Sequence, residues 1–408
     1  MKGIIDTTLR EGEQSAHVYF NLAEKLHIIG LLDRVGIDEI EAGVAVMNPE
    51  TRELFRQVRE LFGQGRDRSI TPLFSLWCRC QASDIDETLN LSPDILSMSI
   101  PVSDIHIKKK LGRNRSWVLA RVSDSIKQAK DTAPSCYLSL GLEDASRADF
   151  AFVEEVCSRA QEEGINRIRF ADTVGIMDPL TMVSTITRLK AFFKVDLGVH
   201  THNDFGMATA NAVSALASGA DFVDVTVNGI GERAGNAALE EVITFMAKRK
   251  GVDTYDLKPL RFLSDYVARA SGSDIPPRKP IVGKDIFTCE SGIHLDGLMK
   301  HPSTYEPYDP AEVCMERTFL VSKKAGKSAL RHKLESLGLK TEGHLLVELL
   351  TKVKDESSRL KTDLTDEELL HLYAMQQDSV DASNREDGGR NNDLDIQIKK
   401  STEATLPH

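Results

Sequence analysis

Three stretches concentrate side chains able to do chemistry. His200-Thr201-His202-Asn203-Asp204 follows an apolar run. In a strand, residues two apart share a face, so both imidazoles leave the end of one strand in the same direction. Two neutral imidazoles and a carboxylate make a divalent-metal site with open positions. Two histidines hydrogen-bonded at a strand end would carry the same spacing. Asp6-Thr7-Thr8-Leu9-Arg10-Glu11-Gly12-Glu13-Gln14 follows the first apolar run. Glu11 can complete a metal site, and Arg10 can hold an anion or stabilise a developing oxyanion; a capped loop with surface ion pairs is the alternative. The third stretch, NGIGERAGN from Asn228 to Asn236, departs from the dinucleotide fingerprint and lacks its βαβ context. Its glycines suit a tight turn or a close approach of backbone to ligand.

These stretches need a scaffold that brings strand ends together. Short β-like runs are expected at Gly3–Asp6, Glu39–Ala42, Thr71–Trp77, Ile95–Ile100, Cys136–Gly141, Arg167–Ala171, Asp196–His200 and Phe222–Val227. Helical spacing of apolar residues recurs over Asn21–Val35, Thr51–Leu61, Trp117–Thr132, Phe150–Glu163, Pro179–Phe192 and Ala208–Ala217. Strands alternating with helices indicate a parallel sheet, and eight units in about 250 residues fit a closed (β/α)8 TIM barrel. A doubly wound open sheet is the competing α/β fold. Active sites of such barrels sit at the C-terminal ends of the strands, where the three stretches fall.

The expected organisation is a catalytic barrel over 1–272, a linker or lid over 273–310, a small helical subdomain over 311–377 and a polar, disordered tail over 378–408. Helices are expected at Asp253–Gly272, Gly326–Leu337, Gly343–Leu360 and Asp366–Gln377. The formal net charge of −11 argues against a nucleic-acid or membrane-surface role, while leaving room for a local basic patch that holds one anionic cofactor. No apolar run is long enough to span a bilayer, and no signal-peptide core opens the chain. Six cysteines lack paired metal spacing; the Cys78-x-Cys80 pair reads as strand thiols, and a reducing cytoplasm suits the set.

Taken together, DTTLREGEQ, FADTVG, HTHNDFGMATANAVSALASGAD, TVNGIGERAGNAALEEV and FTCESGIHLDGL resemble the homocitrate, isopropylmalate and citramalate synthase family of metal-dependent barrel enzymes. The resemblance runs from residue 3 to about residue 335. SIPVSDIHIKKKLG, GLEDASRAD and NGIGERAGNAALEEV are most similar to the short, nitrogen-fixation type of homocitrate synthase. The resemblance implies Claisen condensation of acetyl-CoA with a small 2-oxo acid, helped by a divalent ion (Mg, Mn or Zn). It implies Glu11, His200 and His202 as metal ligands, with Asn236 as a further one. Arg10 and Glu143 match catalytic positions, and His294 and Tyr305 match a pair on the segment beyond the barrel, with His294, linked to Glu143 or Tyr305, as the acid–base candidate. That last segment implies a homodimer with composite sites.

Candidate substrate contacts are Arg10, Gln14, Arg79, Ser139 and Thr173. Arg79, on the third strand, is a cation available for a distal carboxylate. Ser139 stands near the place of an arginine in lysine-pathway enzymes, and Gln81 near that of a histidine. Lys324 stands where a histidine is common. The expected substrate is 2-oxoglutarate. The rivals are oxaloacetate, 2-oxoisovalerate and pyruvate, and, from a different class, a non-catalytic barrel that only binds.

Overall fold

Aliphatic runs buried on both faces alternate along the chain with helices that open on polar caps, the pattern of a parallel sheet wrapped by helices. The computed structural model describes residues 1–46, 49–62, 72–341 and 343–379. The strands are β1 Gly3–Asp6, β2 Glu39–Val44, β3 Leu73–Arg79, β4 Ile95–Pro101, β5 Tyr137–Glu143, β6 Arg167–Asp172, β7 Asp196–Thr201 and β8 Phe222–Val225. They close in sequence order into a parallel barrel, with β1 pairing β8 from Gly3↔Phe222 to Asp6↔Val225. Between and after them run α1 Leu22–Val35, α2 Pro49–Phe62, α3 Ala82–Leu89, α4 Arg115–Thr132, α5 Phe150–Glu162, α6 Pro179–Phe192, α7 Ala208–Ala217, α8 Leu239–Lys250 and α9 Leu260–Ala270.

Local chemistry sets many of the boundaries. Asn21 and Glu24 form a reciprocal capping box at the start of α1, and Gly36 ends that helix at φ 85°, where a side chain would be strained. Asp178 accepts from Leu180 N and Thr181 N at the start of α6, with Pro179 in the first turn. Each such cap is worth about 1 kcal/mol.

The expected closed barrel is what forms, with shifted edges. Strand β3 runs two residues later than expected; Thr71 lies outside the described residues. Strand β8 stops at Val225 because Val227 N turns to Thr8 Oγ1 and Asn228 takes φ 61°. Helix α3 was not anticipated: it is short, and Ile85 and Leu89 are its buried aliphatic residues. Helix α8 lies in the stretch read only as the end of the barrel.

Inward-facing positions carry charge where many barrels carry aliphatics. On the lower layer Arg167 donates to both Glu39 oxygens, at 2.7 and 2.9 Å, and to Ser139 Oγ at 3.0 Å. One layer up, Arg169 donates to Glu41 Oε1 at 3.1 Å and to Asp224 Oδ2 at 3.0 Å. Buried charges are tolerated when each has its partner. The outward positions, such as Ile40, Leu76 and Val199, are aliphatic and fully covered by helices.

Two compact units divide the chain. The barrel unit is Met1–Ile286 with Glu312–Cys314; the second is Phe287–Ala311 with the chain from Met315 onward. The stretch 273–310, expected as one linker, is thus shared between them. The second unit contains β9 Thr288–Cys289 paired in parallel with β10 Thr318–Phe319, and helices α10 Gly292–Lys300, α11 Lys327–Ser336 and α12 Gly343–Leu360. A last helix, α13, covers 366–379. Leu295, Leu330, Leu346, Leu349 and Val353 form its core. The expected polar tail lies, from residue 380, outside the described residues. Among the described residues no helix is long and apolar enough to cross a membrane.

Candidate active site

The turn after β1 lifts two charged residues over the barrel mouth. Asp6 accepts from Thr8 N at 3.0 Å and Thr8 Oγ1 at 2.9 Å, folding the chain back on itself. The amides of Arg10 and Glu11 then close onto Thr7 O at 3.1 and 2.8 Å. Burial pushes the Asp6 carboxyl up to about 7. Across the mouth, β7 delivers His200, and His202 follows it as the bridge partner of Asn236. That partner is presented by the glycine loop, which proves to be a tight turn. Asn236 N bonds Gly229 O at 2.9 Å, and Gly235, at φ 91°, leaves no room there for a Cβ.

Glu11, His200 and His202 converge, with one ligand atom of each within 4.8 Å of the others. The Nε2 atoms of the two histidines lie 3.1 Å apart, and Glu11 Oε1 is 3.6 Å from His202 Nε2. His200 Nδ1 is 2.9 Å from Asp224 Oδ2. A carboxylate there accepts a hydrogen bond from Nδ1–H and leaves the Nε2 lone pair free, the arrangement found behind metal-bound histidines. Burial, and then the neighbouring His200, push His202 down to about 3, so its imidazole is neutral. Burial works against the charge of Glu11, but Arg10 and the two histidines outweigh it and hold the carboxyl below its usual range. Asn236 Oδ1 is a buried oxygen without a hydrogen-bond partner among the described residues, a further donor beside His202. Two imidazoles, that of His202 neutral, with an ionised carboxylate and a spare amide oxygen fit a divalent cation.

Arg10 is the hinge between this donor set and the ionic layer beneath it. Its Nη1 pairs with Glu11, its Nε pairs with Glu41, and its guanidinium lies 5.9 Å from the centre of the Trp77 ring. Arg10, Glu11, Trp77, His200 and His202 line a cavity of about 230 Å³ with Gln14, Ser99, Lys110, Gly141, Glu143, Arg169, Ala171, Thr173 and Glu232. Glu143, at the end of β5, accepts from Lys110 Nζ at 2.5 Å and lies 3.0 Å from His106 Nδ1. Thr173 accepts from Asp144 N through Oγ1, at 2.8 Å, and its carbonyl accepts from Arg233, which forks onto Asp204.

Of the expected site residues, Arg10, Glu11, Gln14, Glu143, Thr173, His200 and His202 are thus brought to one cavity. Arg79 and Ser139, in the barrel unit, and His294 and Tyr305, in the second unit, are placed elsewhere. Arg79 shares the inner face of β3 with Trp77 by alternation, yet it ends the strand, and Asp84 in the first turn of α3 takes its fork at 2.7 and 3.1 Å. Its side chain is 59% exposed and does not line the cavity. Ser139 is fully buried one layer below, bonded to Arg167. His294 on α10 and Tyr305 belong to the second unit, where their rings lie 4.4 Å apart.

Asp224, Glu41, Arg169, Trp77, His106 and Lys110 were missed. Asp224 had a legible signal: in Phe222-Val-Asp-Val-Thr226 it alternates with aliphatic residues and shares their opposite face, the inner one. Glu41 and Arg169 carried the same signal on β2 and β6.

A closed parallel barrel whose strand ends gather an imidazole–carboxylate donor set and an arginine fork has the layout of a barrel enzyme. The chain belongs to the HMGL-like family, whose model matches residues 2–267. A second model, the homocitrate synthase post-HMGL domain-like family, matches residues 281–361. The chain is 43% identical to 2-isopropylmalate synthase 2 of Caldanaerobacter subterraneus subsp. tengcongensis, over 91% of this chain and 94% of that one. It is 41% identical to homocitrate synthase 1 of a Nostoc species, over 91% and 97%. Among solved structures, an HMG-CoA lyase from Bacillus subtilis superposes with a TM-score of 0.58 at 20% identity, over 67% of this chain and 95% of that one, a likeness of fold.

Proposed function

We propose that this protein condenses the acetyl group of acetyl-CoA with a 2-oxo acid and releases CoA by thioester hydrolysis. The observation that carries the reading is the convergence of Glu11, His200 and His202 beside the Arg10 fork in one cavity. Relatives named homocitrate, isopropylmalate and citramalate synthases support it. A divalent ion (Mg, Mn or Zn) held by Glu11, His200, His202 and Asn236 would polarise the 2-oxo group. The chain's own residues do the rest. Arg10, fixed by Glu41 and Glu11, presents its guanidinium to the alkoxide that forms as the acetyl enolate adds to the ketone carbon. Its geometry is set before the reaction, so little reorganisation is needed. Gln14 and Thr173, both in the cavity lining, are substrate contacts in this reading. His294, beside Tyr305, is the acid–base candidate that takes a methyl proton from the thioester. We assign that pair to a partner subunit of a homodimer. Mixing inactive Glu11→Gln and His294→Ala chains should then restore part of the activity; no rescue after demonstrated subunit exchange would assign each site to one chain.

The substrate we favour is 2-oxoglutarate. With Arg79 held by Asp84, the cavity cation outside the buried Arg10–Arg169 layer is Lys110, whose partner is Glu143. A lysine at the wall suits a distal carboxylate. The second reading is 2-oxoisovalerate, which Trp77, Gly141 and Ala171 in the lining suit as apolar neighbours. A panel of 2-oxoglutarate, oxaloacetate, 2-oxoisovalerate and pyruvate, scored by CoA release, decides. 2-Oxoglutarate should lead in kcat/KM, and Lys110→Met should narrow its lead. A lead for 2-oxoisovalerate that Lys110→Met leaves untouched would overturn the distal-carboxylate reading.

A further inference from the structure

Between Asp104 and Asp124 the chain carries six lysines and arginines and no acid, in a protein of net charge −11. The segment leaves β4 through a helical turn at His106–Lys110 and enters α4. It therefore starts at the cavity, whose wall includes Lys110. Half of these cations are already engaged: Lys108 by Asp104, Arg115 by Asp104 and Asp149, and Lys110 by Glu143. Lys109, Arg113 and Arg121 have no carboxylate partner among the described residues. Lys109 and Arg113 are exposed and Arg121 is half-buried.

The two arginines are nevertheless held. Their guanidinium groups lie over the ring of Trp117, at 5.5 and 5.3 Å from its centre. An aromatic face orients a planar fork without using its hydrogen-bond donors. Two oriented, unspent forks and a free ammonium are a receptor for phosphate oxygens, which such forks grip in bidentate fashion. The charge itself gathers polyanions toward the mouth from an otherwise acidic surface.

The proposed reaction brings one polyanion to this mouth. Its thioester must reach the cavity, while its nucleotide phosphates stay outside on the flexible pantetheine arm. We propose that Lys109, Arg113 and Arg121 bind the 3′-phosphate and 5′-diphosphate of the coenzyme A nucleotide. This inference rests on the acetyl-CoA reading above and adds the place where affinity for the thioester carrier is made.

The test compares carriers in the metal-loaded, full-length protein. The triple variant Lys109→Ala/Arg113→Ala/Arg121→Ala should raise KM for acetyl-CoA at least about tenfold, the worth of a few charge-assisted contacts. Its kcat should be close to the parent's, and KM for S-acetylpantetheine, which lacks the nucleotide, should not move. In the unmodified protein, KM for acetyl-CoA should rise with salt and KM for S-acetylpantetheine should not. Adenosine 3′,5′-bisphosphate should bind calorimetrically to the parent and at least tenfold more weakly to the variant. An unchanged acetyl-CoA KM, or an equal rise for both carriers, would overturn the assignment. A parent that binds the bisphosphate through this patch yet turns over no acetyl-CoA would instead sink the condensation reading and leave the patch standing.

Discussion

Asp224→Asn isolates the electrostatic support behind the donor set. In the parent, Asp224 Oδ2 lies 2.9 Å from His200 Nδ1 and 3.0 Å from Arg169 Nη1. An asparagine of the same shape can still place one oxygen there, so the packing survives. What goes is the carboxylate charge that accepts the Nδ1–H and orients the ring with Nε2 toward the donor set. Losing such a carboxylate behind a ligating histidine weakens metal binding about 10–100-fold, or roughly 1.4–2.7 kcal/mol. Arg169 loses one buried counter-ion but keeps Glu41 at 3.1 Å. The fold should therefore lose about 1–3 kcal/mol, short of the figure for a charge stripped of every partner. Metal affinity is read by calorimetric titration of the chelator-treated protein, and fold stability by a urea melt of the same metal-free sample. A variant with parent-like metal affinity and an unchanged melt would refute the reasoning, because Asp224 would then neither fix the His200 tautomer nor balance Arg169.

Other substitutions test neighbouring parts. Arg10→Lys keeps the charge but loses the fork that spans Glu41 and Glu11, so kcat should fall on the order of 10²-fold with little change in KM; steady-state kinetics showing a pure KM effect would make Arg10 a ground-state binder. His202→Ala should lose bound metal and turnover together while circular dichroism stays native, and full metal occupancy by elemental analysis would remove His202 from the ligand set. Asp6 has its pKa raised by burial from 3.8 to about 7, so the folded state holds its proton more tightly than the unfolded chain. Its contribution to stability is complete below about pH 4 and is lost as the pH rises through 7, by at most about 4 kcal/mol. Urea midpoints at pH 5 and pH 8 should therefore converge in Asp6→Asn, and an undiminished gap would count against that. Arg79→Ala removes a fork already held by Asp84 at the surface; kcat/KM ratios across the 2-oxo acid panel should stay within about twofold, as for surface changes away from a site.

Much of this protein is written in local order along the chain. Strand–helix alternation leads to the barrel because aliphatic runs buried on both faces can be satisfied only between helices. The period of two in His200-x-His202 puts both imidazoles on one face, and motif position alone places Arg10, Glu11, Glu143 and Thr173 at strand ends. What no local pattern decides is which charges meet. Arg169 finds Glu41 128 residues away and Asp224 55 residues away, and that layer becomes visible only when the barrel closes. Arg79 shows the converse. Strand alternation assigns it to the inner face, but a short helix that periodicity missed brings Asp84 within reach, and the fork turns outward. Residue type and spacing determined which groups could act; closure of the barrel decided which of them are neutralised, which are held, and which face the cavity, because a buried charge is settled by the partners that packing brings to it.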